Sequence, residues 1–502
     1  MSDFRTCSIT GLKVHLPAEK LIKINAVTAI VFLLVGGILG LLLVLTRWQA
    51  VHLLPPEFFY RFLTLHGIAM LVAWIIFWEM AALYLTSAIL LNSRLAVPWV
   101  GWLQYLLMLV GGGLVAVIIL LGGADVMFTS YVPLKADPLY YLGIILFAVG
   151  AILGCVVFFA TLVVAKTEGT YSGSLPLVTY GAAAAAIIAI ITLSHGAIVF
   201  IPTLLWSAGL IPPMDAEVYR LIFWGFGHSS QQINVCTMVA VWYMLGTLTV
   251  GSTPVNEKVC RTAFVLYILF INIASEHHIL VDPGFSAAHK SWNTSYFMHL
   301  AVLASMIHAF SVPAALEVAL RKKGYTRGTF EWLKKAPWGN PGFSALFLSL
   351  VGFGFLGGTT GVIFGTEQLN ILSHNNLRIP GHFHATVVAG TTLAFMGATY
   401  YVLPLIFQRE VAFPWLAKIQ PYLFGIPIMV FSTFMMVAGG FGVSRRSADM
   451  YGSGGFSVEY SPIVDISLSI MGISGVVACL GGAAFCVIAV ATLIIGKKIE
   501  AK

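Results

Sequence analysis

The sequence predicts an all-α integral membrane protein of twelve transmembrane helices. Three observations predict it. Of the 502 residues, 59% are apolar and only 9% charged, whereas a soluble domain carries about 25% charged residues. Twelve apolar runs each reach the roughly 20 residues that cross a bilayer. The segments joining them are short, so residues 1–502 are expected to form one polytopic membrane domain.

In order, the runs lie near residues 24–47, 62–91, 99–123, 140–165, 181–211, 219–249, 262–282, 293–320, 344–368, 380–407, 419–442 and 466–496. The first follows a 23-residue tail, polar overall and of mixed charge, and is too long for a signal-peptide core, so it is expected to be retained. Charge then orients the chain. With the N-terminus on the cytoplasmic side, the two tails and even-numbered connections carry nineteen of the 27 Lys and Arg. The odd-numbered connections carry the other eight. This positive-inside bias predicts short cytoplasmic tails, about 1–23 and 497–502. Arg321–Lys335 supplies most of the excess, and anchoring against the membrane surface explains it without a nucleic-acid partner. The six cysteines (7, 155, 236, 260, 479 and 486) show no CxxC spacing and imply no disulfide framework. Glycine-rich stretches at 111–113, 357–358 and 481–482 predict close helix–helix contacts.

Thirteen histidines are present, most of them in or at the edges of apolar runs, where a polar side chain is costly and usually functional. In the predicted topology, His66 on the second segment, His228 on the sixth, His277 and His278 at the end of the seventh, and His382 and His384 at the start of the tenth share one depth in the outer third of the membrane. A common site follows. Two adjacent histidines and a third from a neighbouring helix offer three imidazoles, a set that suits copper or zinc. His382 and His384 are two residues apart, roughly 200° around a helix, so each can face a separate flat cofactor. A heme held by histidine on both faces is closed to substrate, while one held on a single face can bind a gas.

The motifs carrying these residues are LTLHG (63–67), HHILVDPG (277–284) and IPGHFH (379–384) with HNN (374–376) before it. Across all twelve segments the chain resembles subunit I of the heme-copper oxidases and their nitric oxide reductase relatives, the B-type branch in particular. The resemblance implies the subunit I fold, two hemes (one low-spin, one high-spin, either of b type or with farnesyl tails) and one copper ion. His66 and His384 would clamp the low-spin heme, and His382 would hold the high-spin heme. His228, His277 and His278 would hold the copper, with iron as the alternative at that position. His374, Asn375 and the Arg445–Arg446 pair match positions that bind heme propionates, a task for which the planar arginine fork is suited.

Two departures bear on the reaction. Oxygen-reducing A- and B-type members carry a tyrosine four residues after the first copper ligand, cross-linked to it; here that residue is Gln232. Tyr243 lies about 22 Å further along the helix. The C-type position on the seventh segment, Ile271-Asn272-Ile273-Ala274-Ser275-Glu276, also lacks a tyrosine, with Tyr267 about 15 Å from His277. Splitting oxygen in one step takes four electrons, of which the metals supply three and the tyrosine the fourth. An amide cannot be oxidised in its place. Joining two nitric oxide molecules takes only two. The second departure is Glu276, a carboxylate beside the copper histidines that can balance charge or relay protons. Glu79, which could equally pair with a neighbouring helix, and Ser305 and His308 are further candidates for proton handling; whether protons are pumped is left open.

These readings imply a catalytic subunit in a bacterial inner membrane. It would reduce nitric oxide to nitrous oxide, with oxygen reduction by a B-type cytochrome c oxidase as the alternative. Gln232 and Glu276 would act in catalysis. The chain has no CxxCH and no cupredoxin-like motif. A smaller membrane-anchored subunit would therefore take electrons from a periplasmic cytochrome c or copper protein.

Overall fold

A computed structural model describes residues 3–271, 274–452 and 457–499. Asn272 and Ile273 of the seventh predicted segment lie outside the described residues, as do tail residues 1, 2 and 500–502. The chain is a multi-pass helical bundle. Its long helices are α1 (Leu16–Arg47), α2 (Pro56–Ile89), α3 (Pro98–Leu120), α4 (Pro138–Thr167), α5 (Leu177–Ser207), α6 (Ala216–Val250), α7 (Glu257–Ile271), α8 (Ala287–Lys322), α9 (Pro341–Gly365), α10 (Arg378–Phe407), α11 (Pro414–Gly440) and α12 (Pro462–Ile495). Eleven of these are long and apolar enough to cross a membrane; α7 is the shorter twelfth.

Helix starts follow from local chemistry. Proline opens α2, α3, α4, α9, α11 and α12, where its missing N–H costs nothing. The Asp137 and Asp215 carboxylates cap the first turns of α4 and α6. Gly251, at φ +74°, ends α6 in the left-handed conformation that suits glycine.

The predicted glycine contacts are present at one member of each stretch. A Cβ on Gly111 would lie 2.5 Å from the Gly143 carbonyl oxygen, one on Gly481 would lie 2.7 Å from Leu423, and one on Gly357 would lie 2.6 Å from Thr386. Backbones approach there because no side chain intervenes.

Two features differ from expectation. The first tail folds into an antiparallel hairpin of β1 (Phe4–Thr6) and β2 (Lys13–His15). Arg5 ties it down by donating to Glu19 at 3.0 Å and to the Leu405 carbonyl at 3.0 Å. Second, His277 and His278 stand on a 3₁₀ turn, Ser275–His278, and not on a helix continuing to residue 282. Pro283 disfavours helix at the residue before it, and consecutive α-helical side chains diverge by about 100°. The turn brings these two imidazoles to 4.3 Å between ring centroids.

Helices α2, α9 and α10 contain π-helical stretches at Ala69–Ala73, Gly352–Gly358 and His384–Thr392. One begins three residues after His66 and another begins at His384. Such turns shift side-chain direction and concentrate at functional sites.

Candidate metal centre

The second and tenth helices bring His66 and His384 face to face, with near-parallel rings (12°) and centroids 6.4 Å apart. The His66 Nδ1–H donates to the Gly36 carbonyl at 2.8 Å, and the His384 Nδ1–H donates to Pro380 O at 2.6 Å. A carbonyl can only accept, so both protons are placed on Nδ1 and both Nε2 lone pairs are free. With a metal–imidazole bond of about 2 Å on each side, this spacing accepts one metal ion in a flat macrocycle. Helix α1 makes room, since a Cβ on Gly40 would lie 2.9 Å from His66 Cε1.

His382 sits on the other side of α10, as the spacing predicts. Its Nδ1 lies 2.9 Å from Thr360 Oγ1. That hydroxyl donates to the Leu356 carbonyl at 2.7 Å, so it accepts from the imidazole and again leaves Nε2 free. A Cβ on Gly361 would lie 3.2 Å from this ring. His382 interacts electrostatically with His277 and His228, whereas His384 interacts with His66.

His228, His277 and His278 form a cage, one nitrogen of each lying within 4.8 Å of the others. His277 donates from Nδ1 to the Ala274 carbonyl at 2.7 Å, leaving Nε2 for a metal. His228 Nδ1 is 3.1 Å from His278 Nε2, close to the roughly 3 Å between two ligands that are each about 2 Å from one ion. The Gln232 amide lies 3.1 Å from His228 Nε2. If Nδ1 faces a metal, Nε2 carries the proton, and the amide must present its oxygen to it. Amide oxygen and nitrogen are interchangeable by a simple flip.

All six histidines, with Gln232, His374, Asn375, Arg445 and Arg446, line one cavity of about 940 Å³. Arg445 and Asn375 are joined by a backbone hydrogen bond of 2.9 Å. Arg445 lies over Phe383 and Arg446 over Tyr131. Burial, together with neighbouring Arg446, pushes the Arg445 guanidinium down to about 9. Arg446 is lowered by burial as well. Neither has a carboxylate partner among the described residues, and Arg47 Nη1 on the same cavity has no hydrogen-bond partner. Uncompensated buried cations require an anion, which is the fit expected for propionate groups. Glu276 is paired with His289, whose ring stacks on Phe285.

Several neighbours were not anticipated. Trp224 stacks on His278 and donates to the Tyr131 hydroxyl at 2.8 Å. Arg220 grips Asp282 of the DPG sequence at 2.6 and 2.8 Å. Arg47 and Arg220 were legible as arginines at the ends of apolar runs, whereas nothing in the spacing marked Thr360 or Trp224. Ser305 lines the cavity and lies 2.9 Å from the Tyr267 hydroxyl, and His308 Nδ1 lies 3.0 Å from the Tyr243 hydroxyl. These four polar groups thus gather between α6, α7 and α8. Tyr131 is the one tyrosine among the described residues lining the cavity, and none touches the His228 ring.

Known proteins resemble this chain in sequence and in fold. The chain is 32% identical over 360 residues to cytochrome c oxidase subunit 1 of Thermus thermophilus, covering 70% of this chain and 62% of that protein. It is 24% identical over 428 residues to cytochrome c oxidase subunit 1 of Synechocystis, covering 81% and 72%. The chain thus spans less than two thirds of the first of these relatives. A cryo-EM structure of a heme-copper terminal oxidase dimer superposes with a TM-score of 0.91 at 26% identity, over 97% of this chain and 85% of that one. The family model described as cytochrome c and quinol oxidase polypeptide I matches residues 20–477, nearly the full length of the bundle that carries the six histidines. The chain belongs to that family.

Proposed function

We propose that this chain is the gas-reducing subunit of a terminal respiratory reductase in a bacterial inner membrane, with both termini cytoplasmic. We further propose that it converts two nitric oxide molecules, two protons and two electrons into nitrous oxide and water. When bound, two hemes and a copper ion supply the electrons. His66 and His384 would hold one heme and close it to gas. His382 would hold the other, and His228, His277 and His278 would hold the copper. Arg445, Arg446, His374 and Asn375 bind and orient the propionates. Electrons come from a periplasmic cytochrome c or copper protein through a smaller subunit.

One observation carries the choice of gas: Gln232 lies 3.1 Å from the first copper ligand, where the oxygen-reducing relatives of this branch carry a tyrosine. An amide holds the His228 tautomer but yields no electron. The two-electron reaction needs none from the protein. Glu276, paired with His289, balances charge beside the cage.

Oxygen reduction is the second reading, and it has its own support. The curated relatives are named as cytochrome c and quinol oxidase subunits. In addition, the oxidisable Trp224 indole lies against His278. Purified complex supplied with reduced donor and one gas at a time decides between them. Nitrous oxide formed at one molecule per two nitric oxide, with slow oxygen uptake, is the expected result. Rapid oxygen uptake with negligible nitrous oxide overturns it.

A further inference from the structure

A second cavity, of about 160 Å³, lies beside the metal cavity and is walled mainly by α2, α4, α5 and α6, with Phe32 of α1 and Gly112 and Val115 of α3 completing it. Most of its lining is apolar. Its polar groups are Glu79, Tyr140, Cys155, Thr192, Ser230, Asn234 and Thr237. Glu79 is only 4% exposed, thirteen residues or about 20 Å along α2 from His66. Its Oε1 has no hydrogen-bond partner, and the Thr237 hydroxyl on the same wall donates to the Ile233 carbonyl at 3.1 Å. Thr192 Oγ1 on the same cavity is likewise without one.

A buried carboxylate oxygen with no partner is costly. Native proteins satisfy such atoms with ordered water wherever a cavity has room and several polar partners. This cavity has both at its polar wall. It also has an exit. Asn234 Nδ2 donates to Gln231 Oε1 at 3.4 Å, and Gln231 lines the metal cavity while Asn234 lines the second one. The amide pair therefore stands in the wall between the two spaces, on the helix that carries His228 and Gln232. The other titratable groups facing Glu79 are Cys155 on α4 and Cys236 on α6; no cation among the described residues pairs with it.

We propose that this second cavity holds water and serves as a proton store for the reaction. Glu79 is its carboxylate, and Asn234 and Gln231 guide water-borne protons into the metal cavity. Water delivers a proton to the carboxylate, which becomes the neutral acid. The acid returns it through water bridged to Asn234 and Gln231, and the next proton refills it. No electron moves in these steps. Glu79 acts at a distance from the reacting atoms and is a positioning and relay residue. The inference rests on the chain being a proton-consuming gas reductase, whichever gas it takes.

The test uses the intact complex carrying Glu79→Gln, Glu79→Asp and Asn234→Leu. Turnover is measured on whichever gas the wild type consumes, alongside reduced-minus-oxidised infrared difference spectra in light and heavy water. Glu79→Gln is expected to slow turnover by about 10²-fold, with unchanged heme spectra and the hemes held reduced during turnover. Glu79→Asp should recover part of the rate. The infrared spectrum should lose a deuterium-sensitive carboxyl band in Glu79→Gln. Should Glu79→Gln fail to retain heme, Asn234→Leu must show the same slowing with the band shifted. Wild-type turnover in both Glu79→Gln and Asn234→Leu, or a carboxyl band that survives Glu79→Gln, overturns the proposal. A wild type inert to both gases overturns the functional reading instead; the loss of the band in Glu79→Gln would still support a protonatable, redox-linked Glu79.

Discussion

The indole of Trp224 lies flat against the imidazole of His278, with ring centroids 3.7 Å apart and 9° between planes. The two come from different elements, α6 and the 3₁₀ turn after α7, and the stack fixes the orientation of a candidate metal ligand that has no helix to hold it. Trp224→Leu should therefore weaken metal retention by about 10- to 100-fold, the range seen when support behind a ligand is removed. Trp224→Phe should keep most of it. Metal content after dialysis against a graded chelator measures this, and equal retention in both variants would show that the stack is incidental.

The two histidine sets should separate cleanly. His277→Ala removes one cage ligand whose Nδ1 is held by Ala274 and should lose the copper while both heme spectra persist. His384→Ala should abolish the low-spin bands and leave cage metal in place. Metal analysis with a reduced-minus-oxidised visible spectrum reads both. Joint loss of everything in either variant would contradict two separately held cofactors.

Arg445 is part-buried on the cavity wall, has no carboxylate partner among the described residues and sits beside Arg446. Arginine stays protonated, so in heme-free protein this charge is a burden. Removing a charge that has no partner relieves its desolvation cost. Arg445→Met should raise the unfolding midpoint of the heme-free protein yet weaken heme binding. Thermal melts with and without heme check the opposing signs; a fall in both would mean that Arg445 is structurally satisfied by something else.

His374 is held below its usual value by burial and by Arg220, with Arg445 and Arg446 adding to the effect while Asp282 opposes it. The folded protein binds this proton less tightly than the unfolded chain. Above about pH 6.5 both states are neutral and the group contributes nothing. As pH falls below that value the unfolded chain takes up the proton first, and stability is lost until the folded pKa is passed. His374→Gln should flatten the decline between about pH 6.5 and 5. Melts at four pH values across that window, wild type against variant, would show parallel curves if His374 were not responsible.

Much of this was legible in one dimension because membrane spans and histidine depth are properties of the chain itself. An apolar run of the right length has to become a helix in lipid, since its backbone has no other hydrogen-bond partners there. The depth of His66, His228 and His384 then follows from counting residues. What counting could not provide was the side-chain environment of each ligand. The Nδ1 partners of His66, His277 and His384 are backbone carbonyls of Gly36, Ala274 and Pro380, and no sequence pattern marks a carbonyl. The 3₁₀ turn under His277 and His278 was missed because their segment reads as one apolar run. The Glu79 cavity exists only because helices α1 to α6 pack imperfectly around a carboxylate. Composition, spacing and charge thus determined that six imidazoles share one level of a helical bundle. Tertiary packing alone decided which nitrogen each of them offers and which buried charges are left without a partner, because both depend on groups distant in the chain.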